Sequence, residues 1–428
     1  MKTYIEKLPQ DIRSLIEAAR AVARERGCTA YLVGGFVRDL ILGVKNCDLD
    51  IVVEGNGIGF ASDYALKLRG KLVTHRRFGT ATVSAGCHVK VDIASARKEF
   101  YPHPAHLPVV EIGTLRDDLY RRDFTINAMA LQITGSGYGR LIDLFGGRKD
   151  LAGGKLRVLH PVSFIDDPTR ILRGIRFEQR FGFVFDPFTF RLLKAAVAQS
   201  MLERVEPQRL RDELILLLKE SKPAKVIRRI SAVTGFSFIT PKLRHSPKIS
   251  RALTAIEHRV LWFQQHIKNS RPLETWLIFF MGLIGSLPLP EVHAICRRFV
   301  FRKGEEKRIV SCVVFCRRGV AALRKKSLKT SEVFRILEPL SYEVIIMMLA
   351  QTGSKLVAAR IKEFLNISIG TKIAVSGHDL GACGLKPGPH YQRILRMVLN
   401  AKLDGKVKDN AEELRLARTI AARVLRYQ

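Results

Sequence analysis

Residues 32–53 read LVGGFVRDLILGVKNCDLDIVV, and they carry the strongest structural signal in this 428-residue chain. A short β-type run ends at Val33, two glycines follow, and an apolar helical segment leads to Gly43. A second β-type run then carries two aspartates, Asp48 and Asp50. Strands that alternate this closely with helices predict one sheet with helices packed on it.

Asp48 and Asp50 are two residues apart, so on a strand both carboxylates project from the same face. Paired carboxylates suit Mg²⁺, which prefers oxygen ligands and commonly bridges carboxylates to the phosphates of a substrate. Two such ions about 3.5–4 Å apart can stabilise the attacking and leaving oxygens of a phosphoryl transfer. An isolated Asp-x-Asp is more often a solvated loop, and here the preceding strand, glycines and helix favour a metal site.

Gly34 and Gly35 lie between the strand and the helix. Without Cβ atoms, they allow backbone N–H groups and a helix N-terminus to approach a phosphate. Arg38 lies one turn into that helix and is placed to assist with a triphosphate. A simple turn is the alternative explanation for the two glycines.

This strand–glycine–helix–strand arrangement resembles the metal-binding motif of the class II tRNA nucleotidyltransferases. These enzymes belong to the DNA polymerase β-like nucleotidyltransferase superfamily, and bacterial poly(A) polymerases are close relatives. The resemblance implies an α+β fold, with an N-terminal nucleotidyltransferase head of mixed β-sheet and helices followed by an all-α neck, body and tail. It also implies two Mg²⁺ ions and the addition of CMP and AMP, from CTP and ATP, to tRNA 3′ ends. We expect the four domains at residues 1–150, 151–221, 222–340 and 341–428.

The segment RRDFTINAMAL, residues 121–131, resembles the ribose-recognition segment of that family. An enzyme that makes RNA must recognise a 2′-OH, which both donates and accepts hydrogen bonds. Asp123 can accept from it, and Asn127 or Arg122 can donate. If the segment is helical, Asp123 and Asn127 share a face. A helix cap with a surface ion pair is the alternative.

The segment DDPTRILRGIRFEQRFGF, residues 166–183, resembles the nucleotide-selecting motif of the family. Asp167 would accept from the amino group of cytosine or adenine, and Arg170 would donate to adjacent ring acceptors. The alternative is an Asp–Arg ion pair within one helix, worth a few tenths of a kcal/mol. Arg173 and Arg176 continue at steps of three, and they form a basic stripe suited to a triphosphate or an ordinary solvated face.

Three further segments bear on catalysis. Asp92 lies on a later strand, where superfamily relatives often place a third carboxylate that helps to activate the attacking 3′-OH. Residues 97–116, with three prolines, are expected to form a loop that CCA-adding and A-adding members possess and CC-adding members shorten. That loop argues against a CC-only enzyme. Residues 209–213 resemble the last family motif and are expected to brace the neck helices and to approach the phosphates.

Composition restricts the partners. The formal charge of +32 indicates a polyanionic partner, and basic clusters in the C-terminal half are expected to contact tRNA phosphates, with individual contact residues unassigned. The longest apolar stretch, residues 276–287, is shorter than the about 20 residues that span a membrane. The first residues lack the pattern of a secretory signal, and seven scattered cysteines without a CxxC fit a reducing cytoplasm.

Three alternatives remain open. The first is an A-adding enzyme that works after a separate CC-adding enzyme, because the long loop occurs in both classes. The second is a poly(A) polymerase, which would extend unstructured RNA. The third is an RNA-binding protein that keeps the fold without catalysis, which the complete set of metal, ribose and base-reading residues disfavours.

Overall fold

The computed structural model describes residues 2–46, 48–76, 79–84, 89–268 and 270–425. The chain divides into two compact units. Unit 1 comprises Met1–Ser221 and Arg229–Phe238, and unit 2 comprises Lys222–Arg228 and Ile239–Gln428.

Unit 1 contains all the described strands. They are β1 Ala30–Val33, β2 Leu49–Val53, β3 Lys71–His75, β4 Thr80–Ser84, β5 Lys90–Ser95, β6 Arg97–Phe100, β7 Val109–Ile112, β8 Ala130–Gln132, β9 Leu141–Ile142, β10 Lys155–Leu156 and β11 Val184–Phe185. Its helices are α1 Lys2–Glu6, α2 Gln10–Glu25, α3 Gly34–Leu42, α4 Gly57–Lys67, α5 Leu115–Tyr120, α6 Gly147–Ala152, α7 Ser163–Asp166, α8 Thr169–Phe181, α9 Pro187–Ala198 and α10 Pro207–Leu218, and α11 Pro223–Val233 contributes residues to both units.

Seven strands form one mixed sheet in the order β3-β4-β5-β2-β1-β8-β9. Strands β2 and β5 run parallel, and this pairing places Asp50 directly beside Asp92. The other neighbours in the sheet are antiparallel. The mixed sheet of the predicted head is therefore confirmed.

The local sequence explains how the central strands are placed. Strand β2 is buried at Leu49 and at residues 51–53, as its run of β-branched residues predicts. Helix α3 ends at Gly43, whose positive φ of 68° gives the left-handed C-terminal residue that favours glycine. Helix α2 buries the apolar face that its helical spacing predicts.

One face of the sheet carries an apolar cluster that includes Tyr31, Val33, Val52 and Ala130, with Leu119 of α5 packed on it. Side chains alternate along a strand, so Asp50 shares a face with Val52, and Asp92 with Ala94. The catalytic candidates thus project from the apolar-packed face.

Residues 97–116 differ from the predicted loop. They form the antiparallel hairpin β6–β7, which pairs Arg97 with Ile112 and Phe100 with Val109, followed by the start of α5. The three prolines all lie outside the paired strands, in the connection between them. Each strand has only four residues, and neither RKEF of β6 nor VVEI of β7 alternates apolar with polar side chains. The three prolines were therefore the strongest signal in this segment.

Helices α7–α10 continue unit 1. Phe124 packs against Phe164, Phe177 and Phe185, with ring centroids 5.9–6.4 Å apart. A Cβ atom on Gly174 would lie 2.7–2.8 Å from Phe185 and Phe124, so only glycine allows α8 to approach these rings so closely.

The described residues of unit 2 form helices and no strands. Besides part of α11, they are α12 Pro247–His266, α13 Thr275–Ile284, α14 Leu289–Arg298, α15 Lys303–Ala322, α16 Thr330–Leu337, α17 Tyr342–Gln351, α18 Lys355–Gly370, α19 Gly377–Ala382, α20 Pro389–Leu403 and α21 Asn410–Leu425. Helices α13 and α17 are almost entirely buried. The remainder is confirmed as mostly helical, but residues 151–221, which we expected to be all-α, contain the two-residue strands β10 and β11. No described helix combines the length and apolarity needed to cross a membrane.

Candidate active site

A cavity of about 780 Å³ opens in unit 1. It is lined by twelve of the thirteen residues that the motifs single out, namely Gly34, Gly35, Arg38, Asp48, Asp50, Arg122, Asp123, Asn127, Asp167, Arg170, Arg173 and Arg176. Three segments that are distant in sequence, at residues 34–50, 122–127 and 167–176, therefore meet at one site. Asp92, the thirteenth, is exposed on β5 and does not line the cavity.

Asp48, Asp50 and Asp92 lie on or next to the central strands β2 and β5, and their carboxylates repel one another. Asp50 is half-buried, and burial is the main reason why the pKa of its carboxyl is raised to about 6. Asp92 and Asp48 add to that rise in pKa, and Arg122 opposes it. The surroundings of Asp50 disfavour its charged form. A nearby cation would stabilise that charged form.

These residues fit a divalent metal. Within the described part of the chain, no three His, Cys, Asp or Glu side chains come close enough to surround a metal ion. Mg²⁺ is usually held by one or two carboxylates and keeps its other positions for water and substrate phosphates, which is what Asp48 and Asp50 offer. Asp92 is held by Thr82, whose Oγ1 donates to its Oδ1 at 2.5 Å, and its participation stays a prediction.

Gly34 begins α3 with a positive φ of 69°. A Cβ atom there would lie 2.7 Å from Nη1 of Arg122 and 3.4 Å from Oδ2 of Asp50. Glycine is thus required for Arg122 to lie beside the carboxylate. Asp118 anchors that arginine, since Arg122 Nη2 donates to Asp118 Oδ2 at 2.8 Å.

Arg38 is buried rather than extended toward solvent. Its Nε donates to Asp39 at 2.9 Å, and its Nη1 donates to Asn127 Oδ1 at 2.6 Å. The guanidinium also lies over the rings of Phe177 and Phe181. Arg38 therefore ties α3 to the ribose-type segment and to α8, in addition to lining the cavity.

Asp123 is buried, so the alternative of a surface ion pair is wrong. Its Oδ1 accepts from Asn127 Nδ2 at 2.9 Å, although the segment is a short 3₁₀ turn and not an α-helix. Its Oδ2 accepts from Nε of Arg173 at 2.9 Å. Burial acts to raise the pKa of Asp123, but Arg173 and these hydrogen bonds outweigh it and lower the pKa to about 2.

Arg173 does not belong to a free basic stripe. It bridges Asp123 and Glu213, with Nη1 at 3.2 Å from Glu213 Oε1. Arg176 is the more available guanidinium, because its buried Nε has no hydrogen-bond partner among the described residues. Arg180, one turn further, also lines the cavity. Arg176 and Arg180 therefore add positive charge to the cavity wall, whereas the charge of Arg173 is offset by Asp123 and Glu213.

Asp167 and Arg170 both line the cavity but do not pair with each other as the intrahelical alternative requires. Asp167 precedes α8, and its Oδ1 accepts from Thr169 Oγ1 at 2.6 Å and from Arg209 Nη2 at 2.8 Å. Arg170 donates from Nη1 to Ser163 Oγ and from Nη2 to the Arg121 carbonyl, both at 2.6 Å. Asp167 and Arg170 are thus held in place by different sets of residues.

The sequence did not indicate several of the residues that support Asp167 and Arg170. Ser163 belongs to no recognised motif. Arg209 and Glu213 were expected to brace the helices of this region, and their contacts with Asp167 and Arg173 agree with that expectation, but the sequence did not indicate which residues they hold. Glu99 of β6 accepts from Arg121 Nη1 at 2.9 Å and from Tyr101 at 3.0 Å, linking the hairpin to the cavity wall. Only the folded topology brings these groups together, so no spacing in the sequence could have indicated them.

Comparison with known proteins places the chain among tRNA-processing enzymes. Residues 30–157 match the family described as the poly A polymerase head domain. An A-adding tRNA nucleotidyltransferase of Geobacter sulfurreducens is 36% identical over 97% of this chain, which spans about half of that relative's length, 48%. An A-adding tRNA nucleotidyltransferase of Halalkalibacterium halodurans is 31% identical, over 96% of this chain and 93% of its own.

A solved structure resembles the chain over nearly its whole length. The Thermotoga maritima CCA-adding enzyme, complexed with tRNA, superposes with a TM-score of 0.74 at 34% identity. The match covers 99% of this chain and 98% of that one.

Proposed function

Because this chain belongs to the tRNA nucleotidyltransferase family, we propose that it adds 3′-terminal nucleotides to tRNA from CTP and ATP without a nucleic-acid template. The observation that carries this proposal is the single cavity that unites Asp48 and Asp50 with Asp167 and Arg170. The first pair suits a metal-assisted transfer, and the second suits recognition of a base edge. The tRNA complex of the Thermotoga relative supports tRNA as the substrate.

In the proposed reaction the tRNA 3′-OH attacks the α-phosphorus of the nucleoside triphosphate. A new P–O bond forms, the α–β phosphoanhydride bond breaks, and pyrophosphate leaves. The proton of the attacking hydroxyl passes to a nearby base, for which Asp92 is the candidate. Catalysis is then mainly positioning and stabilisation of charge.

Asp48 and Asp50 would hold Mg²⁺, for which we propose two ions. When bound, the metal supplies positive charge to the phosphates and to the reacting oxygens. Arg122, Arg176 and Arg180 of the cavity wall provide additional positive charge for the triphosphate.

The protein's own residues select the nucleotide. Asn127 lines the cavity, fixed by Asp123 and Arg38, and its second amide N–H is the proposed donor to the ribose 2′-OH. Asp167 accepts from the amino group of C or A, and uracil and the guanine O6 edge offer no donor at that position. Arg170, held by Ser163, keeps its remaining N–H groups for ring acceptors. The protein thereby serves as the template.

Addition of the terminal A alone is the second candidate. The Geobacter and Halalkalibacterium relatives are both A-adding enzymes, whereas the Thermotoga relative is CCA-adding. Poly(A) polymerase activity is a third, because the matching head domain takes its name from that activity. We further propose the head, neck, body and tail at residues 1–150, 151–221, 222–340 and 341–428, and a cytoplasmic site of action.

One incorporation experiment separates these candidates. The purified protein is offered tRNA transcripts that end at the discriminator base, at C and at CC, with CTP, ATP or both. Completion of all three to CCA identifies a full CCA-adding enzyme, and a single A on only the CC transcript identifies an A-adding one. Long A tails on any RNA identify a poly(A) polymerase. Tight tRNA binding without any Mg²⁺-dependent incorporation would reject catalysis altogether.

A further inference from the structure

A partly exposed aromatic cluster lies beside the cavity of unit 1. Tyr120, the last residue of α5, has an exposed fraction of 47%. Its ring contacts those of Phe145 and His160, with centroids 5.7 and 5.3 Å away. We call these three residues the aromatic platform. None of its members lines the cavity, and the reaction as described above assigns them no role.

The platform is nevertheless connected to the base-selecting residues. Nε2 of His160 lies 3.4 Å from Nη1 of Arg170, so one imidazole ring separates the exposed Tyr120 from that guanidinium. Tyr120 is also adjacent in sequence to Arg121, which lines the cavity and whose carbonyl accepts from Arg170. A base on Tyr120 would therefore neighbour a nucleotide held in the cavity.

The chemistry of the platform suits a nucleic-acid base. Burial and the neighbouring Arg170 lower the pKa of His160 to about 4, so its ring is neutral at physiological pH. The adjoining chain adds apolar exposure, since Leu144 and Val162 are 50% and 52% exposed. Base stacking on aromatic rings is tolerant of sequence and needs an exposed π-face.

The flanking charge favours a polyanion. Arg116 precedes Tyr120 by four residues on α5, so both project from the same side of that helix, and Arg116 is exposed. A cation one turn from a stacking ring is the arrangement that binds a base together with its phosphate. A single-stranded RNA end combines both groups, whereas an apolar peptide would leave Arg116 without a partner.

We propose that Tyr120, supported by Phe145 and His160, is the surface on which the 3′-terminal base of the RNA substrate stacks before it is extended. The inference rests on the proposed function and assigns the RNA end to a place outside the nucleotide cavity. The 3′-terminal nucleotide then lies next to the incoming one, as the transfer requires.

Steady-state kinetics with a CC-ended tRNA transcript test the role of the ring. Tyr120→Ala should raise the KM for RNA about tenfold or more and leave the KM for ATP within twofold. Tyr120→Phe should restore the wild-type KM for RNA because it keeps the π-face. Phe188→Ala is the matched control, since Phe188 is 48% exposed on α9 and should change neither KM.

A binding measurement separates this inference from the proposed function. A tRNA transcript that ends in pyrrolo-cytosine, mixed with the wild-type protein in EDTA, should lose fluorescence as its terminal base stacks. Tyr120→Ala should abolish that quenching, and Phe188→Ala should preserve it. Quenching that persists in Tyr120→Ala, or a Tyr120→Phe variant as impaired as Tyr120→Ala, overturns the platform. Quenching by a wild-type protein that incorporates no nucleotide supports the platform and rejects the proposed function.

Discussion

Asp50 of unit 1 and Glu343 of unit 2 are carboxylates withdrawn from solvent whose pKa values move in opposite directions. The pKa of Asp50 is raised to about 6, chiefly by burial with added repulsion from Asp92 and Asp48. Burial acts to raise the pKa of Glu343 as well, but hydrogen bonds from Arg271 and from backbone N–H groups lower it to about 2. Arg271 donates to both Glu343 oxygens at 2.7 Å, and Arg308 lies 3.6 Å away.

The protein neutralises the negative charge of Glu343, whereas it leaves excess negative charge around Asp50. Glu343 is fully buried and its charge is satisfied by side chains of unit 2, so its role is structural. Asp50 lines a cavity, and Arg122 offsets its charge only in part, so a cation would stabilise it. By this criterion Asp123, whose pKa is lowered to about 2 beside Arg173, resembles Glu343, and its Oδ1 holds the amide of Asn127.

The largest effect that this contrast predicts is on catalysis. Asp50→Asn keeps the size of the side chain but removes a proposed metal ligand worth several kcal/mol in the transition state. Nucleotide incorporation into a CC-ended tRNA should fall at least about 1,000-fold. Filter binding should show tRNA affinity within about twofold of wild type. Incorporation that stays within tenfold of wild type would contradict the assignment of Asp50 to the metal site.

The equivalent change in unit 2 should affect stability instead. Glu343→Gln leaves Arg271 and Arg308 facing an uncharged group, and breaking a buried ion pair in this way costs about 3–5 kcal/mol. Urea unfolding followed by circular dichroism should show that loss. Incorporation per folded molecule should equal that of wild type, and a specific loss of turnover would show that Glu343 is not merely structural.

The pH dependence of unfolding tests the same residue. A depressed pKa in the folded state stabilises the fold above the unfolded-state pKa, near 4.5, and that contribution is lost as the pH falls through about 2. The shift corresponds to about 3 kcal/mol. Between pH 5 and pH 2 the wild type should therefore lose about that much more stability than Glu343→Gln. Parallel curves for the two proteins would remove the ion pair as a source of stability.

Asp50→Asn should have the opposite sign of effect on folding. A pKa raised to about 6 means that the charged form is disfavoured in the folded state, so above that pH the carboxylate destabilises the fold. In EDTA at pH 7 the amide should raise the free energy of unfolding by about 2 kcal/mol, less than the full shift because Asp50 is only half-buried. Destabilisation by this variant would show that Arg122 already neutralises Asp50.

The two regions also differ in how much the sequence revealed. The fold class and the family were confirmed, because the strand–glycine–helix–strand pattern and the motifs at residues 121–131 and 166–183 are contiguous. The ion pairs of Glu343 could not be predicted from a motif, because Arg271 and Arg308 lie 72 and 35 positions away in sequence. The hairpin β6–β7 was missed because its prolines obscured two short strands.

Within the site, sequence identified the residues but not their partners. Spacing predicted that Asp123 and Asn127 meet, and their hydrogen bond is present. Spacing also suggested Arg173 as a free cation, whereas Glu213, forty positions later, holds it at 3.2 Å. Long-range side-chain pairing depends on how the helices pack, and an isolated motif carries no information about that packing. The roles assigned to the individual site residues stay predictions.

The smallest predicted effect concerns Arg209, which resembles Arg271 of unit 2 in pairing with a carboxylate but does so at the cavity. Arg209 donates from Nη2 to Asp167, and its buried Nη1 has no hydrogen-bond partner among the described residues. Arg209→Lys keeps the positive charge but loses the planar fork that fixes Asp167. Losing a hydrogen bond to a charged group should reduce discrimination between ATP and GTP about tenfold, with the KM for tRNA unchanged.

Arg211→Lys is the control, because Arg211 pairs with the exposed Asp212 on the same helix. If both variants discriminate equally between ATP and GTP, Arg209 resembles Arg271 in function as well. It would then stabilise the fold without selecting the base.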